Sequence, residues 1–203
     1  TCSVFRGNIG VEFDAMLDAL GQEFAVVVLG FPKNGRQTID GIHYVRGVKL
    51  EESEFRNDPA HPMRRSNLVE ILQSQTRRTV GLIDHQVVAQ GEDALREAIE
   101  AARERWNYVI VDVVDQDALK TIACAVRDCP VLCGSSAIAE ELPAAWDVQP
   151  SERAETLPPP VEGLGVLCAA GSLMPQTAAQ IEHGRARGVP AFELDPRGLF
   201  EPD

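Results

Sequence analysis

Between residues 79 and 145 the chain alternates apolar runs with longer amphipathic stretches, and this alternation constrains the fold more than any other feature. Runs rich in β-branched residues predict strands, and stretches of about a dozen residues with helical spacing of apolar positions predict helices. The predicted strands are 79–83, 108–114 and 130–133, and the predicted helices are 92–105, 116–127 and 136–145. Strands that alternate with helices form right-handed βαβ units around a parallel sheet. The sequence therefore predicts an α/β fold with a Rossmann-like parallel sheet.

The N-terminal segment extends the same architecture. Apolar residues recur at helical spacing over 10–20, and Gly21 follows them as a helix-ending residue. The next run, 24–29, is apolar throughout, without the polar alternation of a strand that has one solvated face. We therefore expect a helix followed by a strand that is covered on both faces.

A hairpin and a further helix are predicted between these parts. The segment 41–50 consists of two short β-prone runs around the turn pair Arg46 and Gly47, a pattern typical of a β-hairpin. Two nearby prolines then indicate an irregular loop. After that loop we expect Ser66 to cap a helix that runs to about residue 75.

The alternation of predicted strands and helices stops at residues 149–163, which carry three consecutive prolines and several charges without periodicity. Such a composition is typical of an extended linker between domains. The alternation then restarts with a predicted strand, helix and strand at 164–169, 175–187 and 189–194. We therefore predict a first domain over 1–148 and, over 164–203, the beginning of a second α/β domain that is truncated, because one βαβ unit is too small for a core of its own.

The charge balance excludes several classes of partner. The chain has 19 Lys and Arg against 31 Asp and Glu, which gives a net charge of −12. Nucleic acids and anionic membranes both attract cationic surfaces, so neither is an expected partner. No apolar run approaches the roughly 18 residues of a membrane span. The five cysteines are an odd number in mostly apolar surroundings, and we expect reduced thiols, a cytoplasmic protein and no cysteine metal site.

Two loops of the first domain carry groups suited to an anion. Arg6 offers a planar fork for a carboxylate or phosphate, and Gly7 lets a ligand approach the backbone before the first helix. Asn34, Gly35 and Arg36 follow the strand predicted at 24–29, where parallel sheets bind ligands at their carboxyl edge. An ordinary helix cap in the first loop and a solvated turn in the second explain the same residues.

Two further loops are weaker candidates for an anion-binding site. Gly171 and Ser172 precede a predicted helix and could present N–H and hydroxyl groups to a phosphate, but the lysine of a P-loop is absent. Gly134 and Ser135 have the same arrangement. Capped helices account equally well for both.

Taken in order, these segments resemble the four-carbon acid sugar kinases, a family that includes 3-oxo-tetronate and threonate kinases. Residues 3–10, S-V-F-R-G-N-I-G, resemble the family segment D-S-T-x-R-G-N-x-G, and 31–38, F-P-K-N-G-R-Q-T, resemble A-F-P-x-x-G-R-x-T. Residues 58–66 resemble D-P-x-x-P-x-x-x-S, and 171–177 resemble G-S-x-S-x-x-T. The glycine-serine pair at 134–135 also matches, so the resemblance covers nearly the whole chain.

The resemblance implies ATP-dependent phosphorylation of a four-carbon acid sugar, with Mg²⁺, in a cleft between two α/β domains. It implies that Arg6 and Arg36 neutralise the substrate carboxylate or the phosphate. The remaining implied substrate-binding residues are Ser3, Gly7, Asn34 and Gly35, and the implied nucleotide-binding residues are Gly171, Ser172 and Thr177. We predict that both arginines lie on one rim of the sheet. No residue stands out as the general base, and Asp58 is a candidate that could equally be a loop cap.

The sequence departs from the family pattern in ways that leave a second interpretation open. Cys2 and Val4 replace the aspartate and threonine of the first motif, and Met174 replaces a serine of the last. The family's acidic D-D-x-T-G and glycine-rich G-G-x-T motifs do not occur here, so the chain resembles the central portion of a longer kinase. The alternative is a binding module or degenerate paralogue that holds an acid sugar without transferring phosphate. A Rossmann dehydrogenase is excluded by the absence of G-x-G-x-x-G after a strand.

Overall fold

The structure is a computed structural model that describes residues 1–149, 163, 165–172 and 174–195. It divides the chain into two units, residues 1–152 and residues 153–203. Apart from Gln149 and Gly163, the predicted linker lies outside the described residues, and the domain boundaries stay a prediction. None of the helices in the described ranges is long and apolar enough to cross a membrane.

The first unit is built around a four-stranded parallel sheet, as the alternation predicted. Its strands are β1 (Ala25–Val28), β5 (Val80–Ile83), β6 (Tyr108–Val111) and β7 (Leu132–Gly134), arranged in the order β5-β6-β1-β7. The central strands β1 and β6 are buried at every position. This confirms that the apolar run 24–29 contains a strand that is covered on both faces.

Helices cover both faces of this sheet. The helices of the first unit are α1 (Ile9–Leu20), α2 (Leu68–Gln73), α3 (His85–Val88), α4 (Glu92–Arg103), α5 (Gln116–Val126) and α6 (Ser136–Ala145). On one face Val26, Val28 and Val109 pack with apolar residues of α3 to α6. On the other face the ring of Tyr108 lies 6.0 Å from the ring of Phe13 on α1. Period-two alternation along the strands therefore divides the core into two layers.

A second, antiparallel sheet lies beyond the end of β1. It consists of β2 (Arg36–Ile39), β3 (Ile42–Val45) and β4 (Val48–Lys49), in that order. The hairpin predicted around Arg46 and Gly47 is confirmed as β3 and β4. Strand β2 was not predicted, because its polar sequence takes its stability from pairing with β3 and from a bridge between Thr38 and Val113.

The start of α2 differs from the prediction. The capping residue is Asn67, whose side chain accepts a hydrogen bond from the backbone N–H of Glu70. Ser66 is buried, and its hydroxyl instead accepts a hydrogen bond from the backbone N–H of Glu51. Both residues have the chemistry of a helix cap, so only the tertiary contact of Ser66 distinguishes them.

The described part of the second unit contains the predicted helix, here α7 (Pro175–Ala186). The flanking strands predicted at 164–169 and 189–194 are wrong for the residues that are described, since 165–169 and 189–194 are exposed and form no strand. A parallel strand needs a hydrogen-bonded neighbour and cover on its faces. These residues pair with no neighbouring strand within the described ranges.

Candidate functional site

The chain leaves β1 through a tight loop that places Arg36 at the start of β2. Phe31 and Arg36 pair their backbones, with Phe31 N–H donating to Arg36 C=O at 2.8 Å and Arg36 N–H donating to Phe31 C=O at 3.0 Å. Gly35 has a φ of 66°, and a Cβ there would lie 2.9 Å from Cγ of Arg46. A glycine is therefore required at 35 by the turn and by this close contact.

Arg36, Thr38 and His43 lie on the same face of the β2–β3 hairpin, because Thr38 pairs with His43 and side chains alternate along a strand. Thr38 Oγ1 and His43 Nδ1 share a hydrogen bond of 3.1 Å, and both side chains are fully buried. Nε2 of His43 has no hydrogen-bond partner among the described residues. Burial and, second, the charge of Arg36 lower the pKa of His43 to about 4, while the backbone of Ser3 opposes the shift. His43 is therefore neutral at physiological pH.

The loop before α1 places Arg6 and Cys2 side by side. It turns at Cys2, whose carbonyl accepts a hydrogen bond of 2.8 Å from Phe5 N–H, and continues through positive φ angles at Phe5 (60°) and Gly7 (99°). Nε of Arg6 donates to Sγ of Cys2 at 3.4 Å. Burial raises the pKa of the Cys2 thiol, but the hydrogen bond from Arg6 and the backbone N–H groups together lower it below its ordinary value.

Phe55 connects the two loops. Cζ of Arg6 lies 5.3 Å from the centroid of its ring, and Cζ of Arg36 lies 5.6 Å from the same centroid. Nη1 of Arg6 also donates to Oδ2 of Asp58 at 2.5 Å. We call Arg6, Arg36, Phe55 and Asp58 the arginine cluster. The structure thus brings together the two arginines that the sequence analysis placed on one rim.

The two guanidinium groups of this cluster differ in their partners. Arg6 is paired with Asp58 and Cys2, whereas Arg36 has no hydrogen-bond acceptor and no carboxylate within 4.0 Å in the described part of the chain. Burial above all lowers the pKa of Arg36, the charges of Arg46 and Arg6 add to the shift, and Cys2 and Glu54 oppose it. Arginine nevertheless remains charged in proteins. Arg36 is therefore a half-buried cation that a bound anion would stabilise.

The other predicted substrate-binding residues lie on the same two loops. Ser3 is half-buried in the turn closed by Cys2 and Phe5, and Asn34 is exposed at the end of the short helix Pro32–Asn34. Gly7 and Gly35 have left-handed backbones that the turns themselves require. Their contact with a substrate stays a prediction.

The predicted nucleotide-binding residues belong to the second unit. Ser172 accepts a hydrogen bond of 3.3 Å from the N–H of Met174, and the N–H of Thr177 donates to the carbonyl of Met174 at 3.0 Å. These contacts form the start of α7. Gly171 is exposed, and a Cβ built on it would meet no described residue within 4 Å. Their role toward a nucleotide stays a prediction.

A buried carboxylate joins the two sheets. Asp112, just after β6, is fully buried and accepts hydrogen bonds from the backbone N–H groups of Asp40 (2.6 Å), Gly41 (3.0 Å) and His85 (3.1 Å). Burial raises the pKa of Asp112, and these three hydrogen bonds oppose that shift. The carboxylate thereby fixes the β2–β3 turn and the start of α3 at the carboxyl edge of the parallel sheet.

Asp40, His85 and Asp112 also have ligand-type atoms within 4.8 Å of one another, a spacing that a metal ion could use. Nδ1 of His85 lies 3.3 Å from Oδ1 of Asp40. However, the oxygens of Asp112 are already occupied by three N–H donors, and Mg²⁺ prefers oxygen ligands to imidazole. This group does not fit Mg²⁺, and we assign it a structural role.

We expect Asp112→Asn to lower the free energy of unfolding by about 2 kcal/mol, because the amide offers one acceptor oxygen and leaves buried N–H groups unsatisfied. Urea unfolding monitored by circular dichroism measures this change. The control is Asp117→Asn on the exposed surface of α5, where we expect a change within about 0.5 kcal/mol. Equal stabilities of the two variants would contradict the structural role of Asp112.

Sequence reasoning did not identify Phe55, His43 or Asp112 as part of this region. Phe55 was a single aromatic residue in a charged stretch, and Asp112 a single acid at the end of an apolar strand. An aromatic residue in a charged stretch and an acid at the end of an apolar strand both depart from the local pattern. Either departure could have indicated a buried contact with another part of the chain. Arg36 and Thr38 are two positions apart, which places them on one face of a strand. Pairing of Thr38 with His43 across the hairpin could have indicated that His43 shares this face.

Comparison with known proteins supplies a family match. Residues 1–142 match the family described as "Sugar-binding N-terminal domain". This range contains the arginine cluster and the whole parallel sheet.

The most similar relatives in this comparison include two proteins named 3-oxo-tetronate kinase. The one from Brucella melitensis is 35% identical over 202 residues, which is 96% of this chain and 46% of that protein. The one from Pseudomonas fluorescens is 36% identical over 206 residues, 98% of this chain and 47% of that protein. The chain therefore spans about half the length of these relatives.

Solved structures show the same fold. A Haemophilus influenzae protein of the DUF1537 family superimposes with a TM-score of 0.68 at 32% identity, covering 72% of this chain and 37% of that one. A DUF1537 domain from Bordetella bronchiseptica, which has bound citrate, gives a TM-score of 0.59 at 27% identity and covers 71% of this chain and 35% of that one.

Proposed function

Because this chain belongs to the sugar-binding N-terminal domain family of the four-carbon acid sugar kinases, we propose that it provides the acid-sugar site of an ATP-dependent kinase. The substrate would be a four-carbon acid sugar of the tetronate or 3-oxo-tetronate class, phosphorylated on a hydroxyl group. The name of the relatives supports this substrate class, and the reaction would take place in the cytoplasm, where ATP is available.

The unpaired guanidinium of Arg36 is the observation that carries the proposal. A buried or half-buried charge without a counter-ion costs free energy that a bound anion recovers. The fork of an arginine matches a carboxylate with two parallel hydrogen bonds, each worth about 1.5–3 kcal/mol when one partner is charged. Arg36 therefore fits the carboxylate of an acid sugar.

Phe55 and Arg6 preorganise the carboxylate-binding site around Arg36. Phe55 is buried, and its ring holds both guanidinium groups by cation–π contact, which limits the orientations available to Arg36. The N–H of Nε and one N–H of Nη1 of Arg6 are engaged with Cys2 and Asp58, which leaves three of its five N–H donors, two of them on Nη2. Arg36, whose guanidinium has no hydrogen-bond partner among the described residues, offers the free fork, and Arg6 adds positive charge and its remaining N–H donors.

Ser3 and Asn34 are the side chains that we assign to the sugar hydroxyls, since both lie on the loops that carry the arginines. Their hydroxyl and amide groups can each donate and accept hydrogen bonds, as sugar hydroxyls require.

ATP would be bound by the second unit, with Gly171, Ser172 and Thr177 as the nucleotide-contacting residues. Phosphoryl transfer depends mainly on positioning and on stabilisation of charge. On this proposal the first unit holds the acid sugar in place. The described residues provide no fitting Mg²⁺ site, so we derive no step through the metal.

Phosphorus NMR of the full-length gene product, incubated with ATP and either threonate or 3-oxo-tetronate, tests the proposal. We expect a new phosphomonoester signal that requires both ATP and the acid sugar. If neither acid binds in calorimetry, the acid-sugar site is refuted.

The second candidate is a module that binds an acid sugar without transferring phosphate. It is favoured by the location of the whole arginine cluster in the first unit, which belongs to the sugar-binding domain. Binding of threonate in calorimetry without a phosphomonoester in the NMR experiment would support this candidate over the kinase.

A further inference from the structure

Asp58 forms an ion pair with Arg6 and so neutralises one of the two cations of the arginine cluster. We propose that Asp58 is a specificity-determining residue that leaves the site one net positive charge, so that it accepts acids with one anionic group and discriminates against dianions. This inference rests on the proposed acid-sugar site and adds a residue that selects the charge of the substrate.

Asp58 is held in place by three donors. Oδ2 accepts the hydrogen bond of 2.5 Å from Nη1 of Arg6, and Oδ1 accepts from the backbone N–H groups of Ala60 at 3.1 Å and His61 at 2.8 Å. The side chain of Asp58 is 11% exposed. Its carboxylate is therefore a fixed negative charge beside the site and not a group free to turn toward solvent.

The same contacts argue against the candidate role of Asp58 as general base. The N–H of His61, first, and the guanidinium of Arg6 hold the pKa of Asp58 below its usual range. A general base works best with a pKa near the operating pH, which for a carboxylate requires an upward shift. Asp58 instead has the environment of a permanent counter-charge.

The charges of Arg6, Asp58, Arg36 and the neighbouring pair of Arg46 and Glu54 sum to one positive charge. Arg6 and Asp58 cancel, and the neighbouring Arg46 is paired with Glu54, so this second pair is also neutral. Arg36 remains as the unpaired charge of these five groups. One carboxylate neutralises it, and a second anionic group on the same small ligand would meet the negative charge of Asp58 without a cation of its own.

Threonate and the tartrate of matching configuration test this selection directly. They share four carbons, one carboxylate and the hydroxyls at C2 and C3, and differ at C4, which is a hydroxymethyl group in threonate and a second carboxylate in tartrate. Isothermal calorimetry on the full-length protein, without ATP, gives both Kd values. We expect the wild-type protein to bind threonate at least tenfold more tightly than tartrate.

Asp58→Asn is expected to reduce that preference at least tenfold, because Arg6 then becomes a second unpaired cation and tartrate gains more than threonate. Asparagine keeps an oxygen for the N–H groups of Ala60 and His61, so the loop should remain folded. Asp58→Glu keeps the charge and should retain the preference for threonate. Asp117→Asn removes one negative charge from the exposed surface of α5 and should leave both Kd values unchanged.

The outcomes separate this inference from the proposed function. Threonate binding with an unchanged preference in Asp58→Asn would overturn the role of Asp58 and leave the acid-sugar site intact. A wild-type protein that binds tartrate as tightly as threonate would also overturn it, whatever the variants do. Failure to bind either acid would refute the acid-sugar site and the inference together.

Discussion

Arg36→Gln is expected to weaken the binding of threonate about a hundredfold or more. The substitution removes the one guanidinium of the cluster that has no hydrogen-bond partner among the described residues, and with it two charge-assisted hydrogen bonds to the carboxylate, each worth about 1.5–3 kcal/mol. Calorimetry on the full-length protein measures Kd, and kcat/KM for phosphorylation should fall by a similar factor.

The stability of the same variant provides an independent check. Arg36 is half-buried without a counter-ion, so its replacement by a neutral side chain should leave the thermal midpoint unchanged or raise it. Arg36→Lys keeps the charge but loses the fork, and should show an intermediate Kd. Arg64→Gln, at an exposed position outside the cluster, is the matched control with wild-type binding. Wild-type affinity in Arg36→Gln would exclude Arg36 from the site.

The parallel sheet could be predicted from the sequence because its signal is local. The runs that form β1 and β6 are apolar at every position, a pattern typical of strands that are covered on both faces. Gly21 likewise ended α1 as expected, since its φ of 61° lies in the left-handed region that glycine adopts most readily. In both cases the local sequence is sufficient to predict the structure.

Elements that depend on distant partners could not be predicted in this way. Strand β2 has a polar sequence and exists because β3 and Val113 pair with it. The strands expected at 164–169 and 189–194 have suitable apolar residues, but no neighbour pairs with them within the described ranges. Local propensity is a weak guide to strands because much of their stability comes from cross-strand contacts.

The candidate site likewise combines features that the local sequence predicts with features that depend on distant residues. Arg6 and Arg36 could be proposed from their loops, because an arginine beside a glycine after a strand is a local pattern. The pairing of Arg6 with Asp58 joins residues 52 positions apart, and the position of Phe55 beneath both arginines depends on three separate segments. The difference between an occupied and a free guanidinium therefore emerged only from the tertiary structure.

The second large effect is expected at Gly30, the residue between β1 and the loop that carries Arg36. A Cβ at this position would lie 2.4 Å from Cβ and 2.8 Å from Cγ1 of Val113, far inside van der Waals contact. Gly30→Ala should therefore lower the free energy of unfolding by about 3 kcal/mol, as other overpacked core positions do. Urea unfolding measures the loss.

The position of Val113 extends this effect to the site. Its backbone exchanges two hydrogen bonds with Thr38, at 2.9 and 3.0 Å, and Thr38 lies two residues from Arg36 on the same strand face. If Val113 moves to admit the methyl group, β2 must move with it, and we expect threonate binding to weaken at least tenfold in the fraction that remains folded. Gly165→Ala, where a Cβ meets no described residue within 4 Å, should change neither stability nor binding. A destabilised Gly30→Ala protein with wild-type Kd would show that the position of Arg36 does not depend on the contact between β1 and the end of β6.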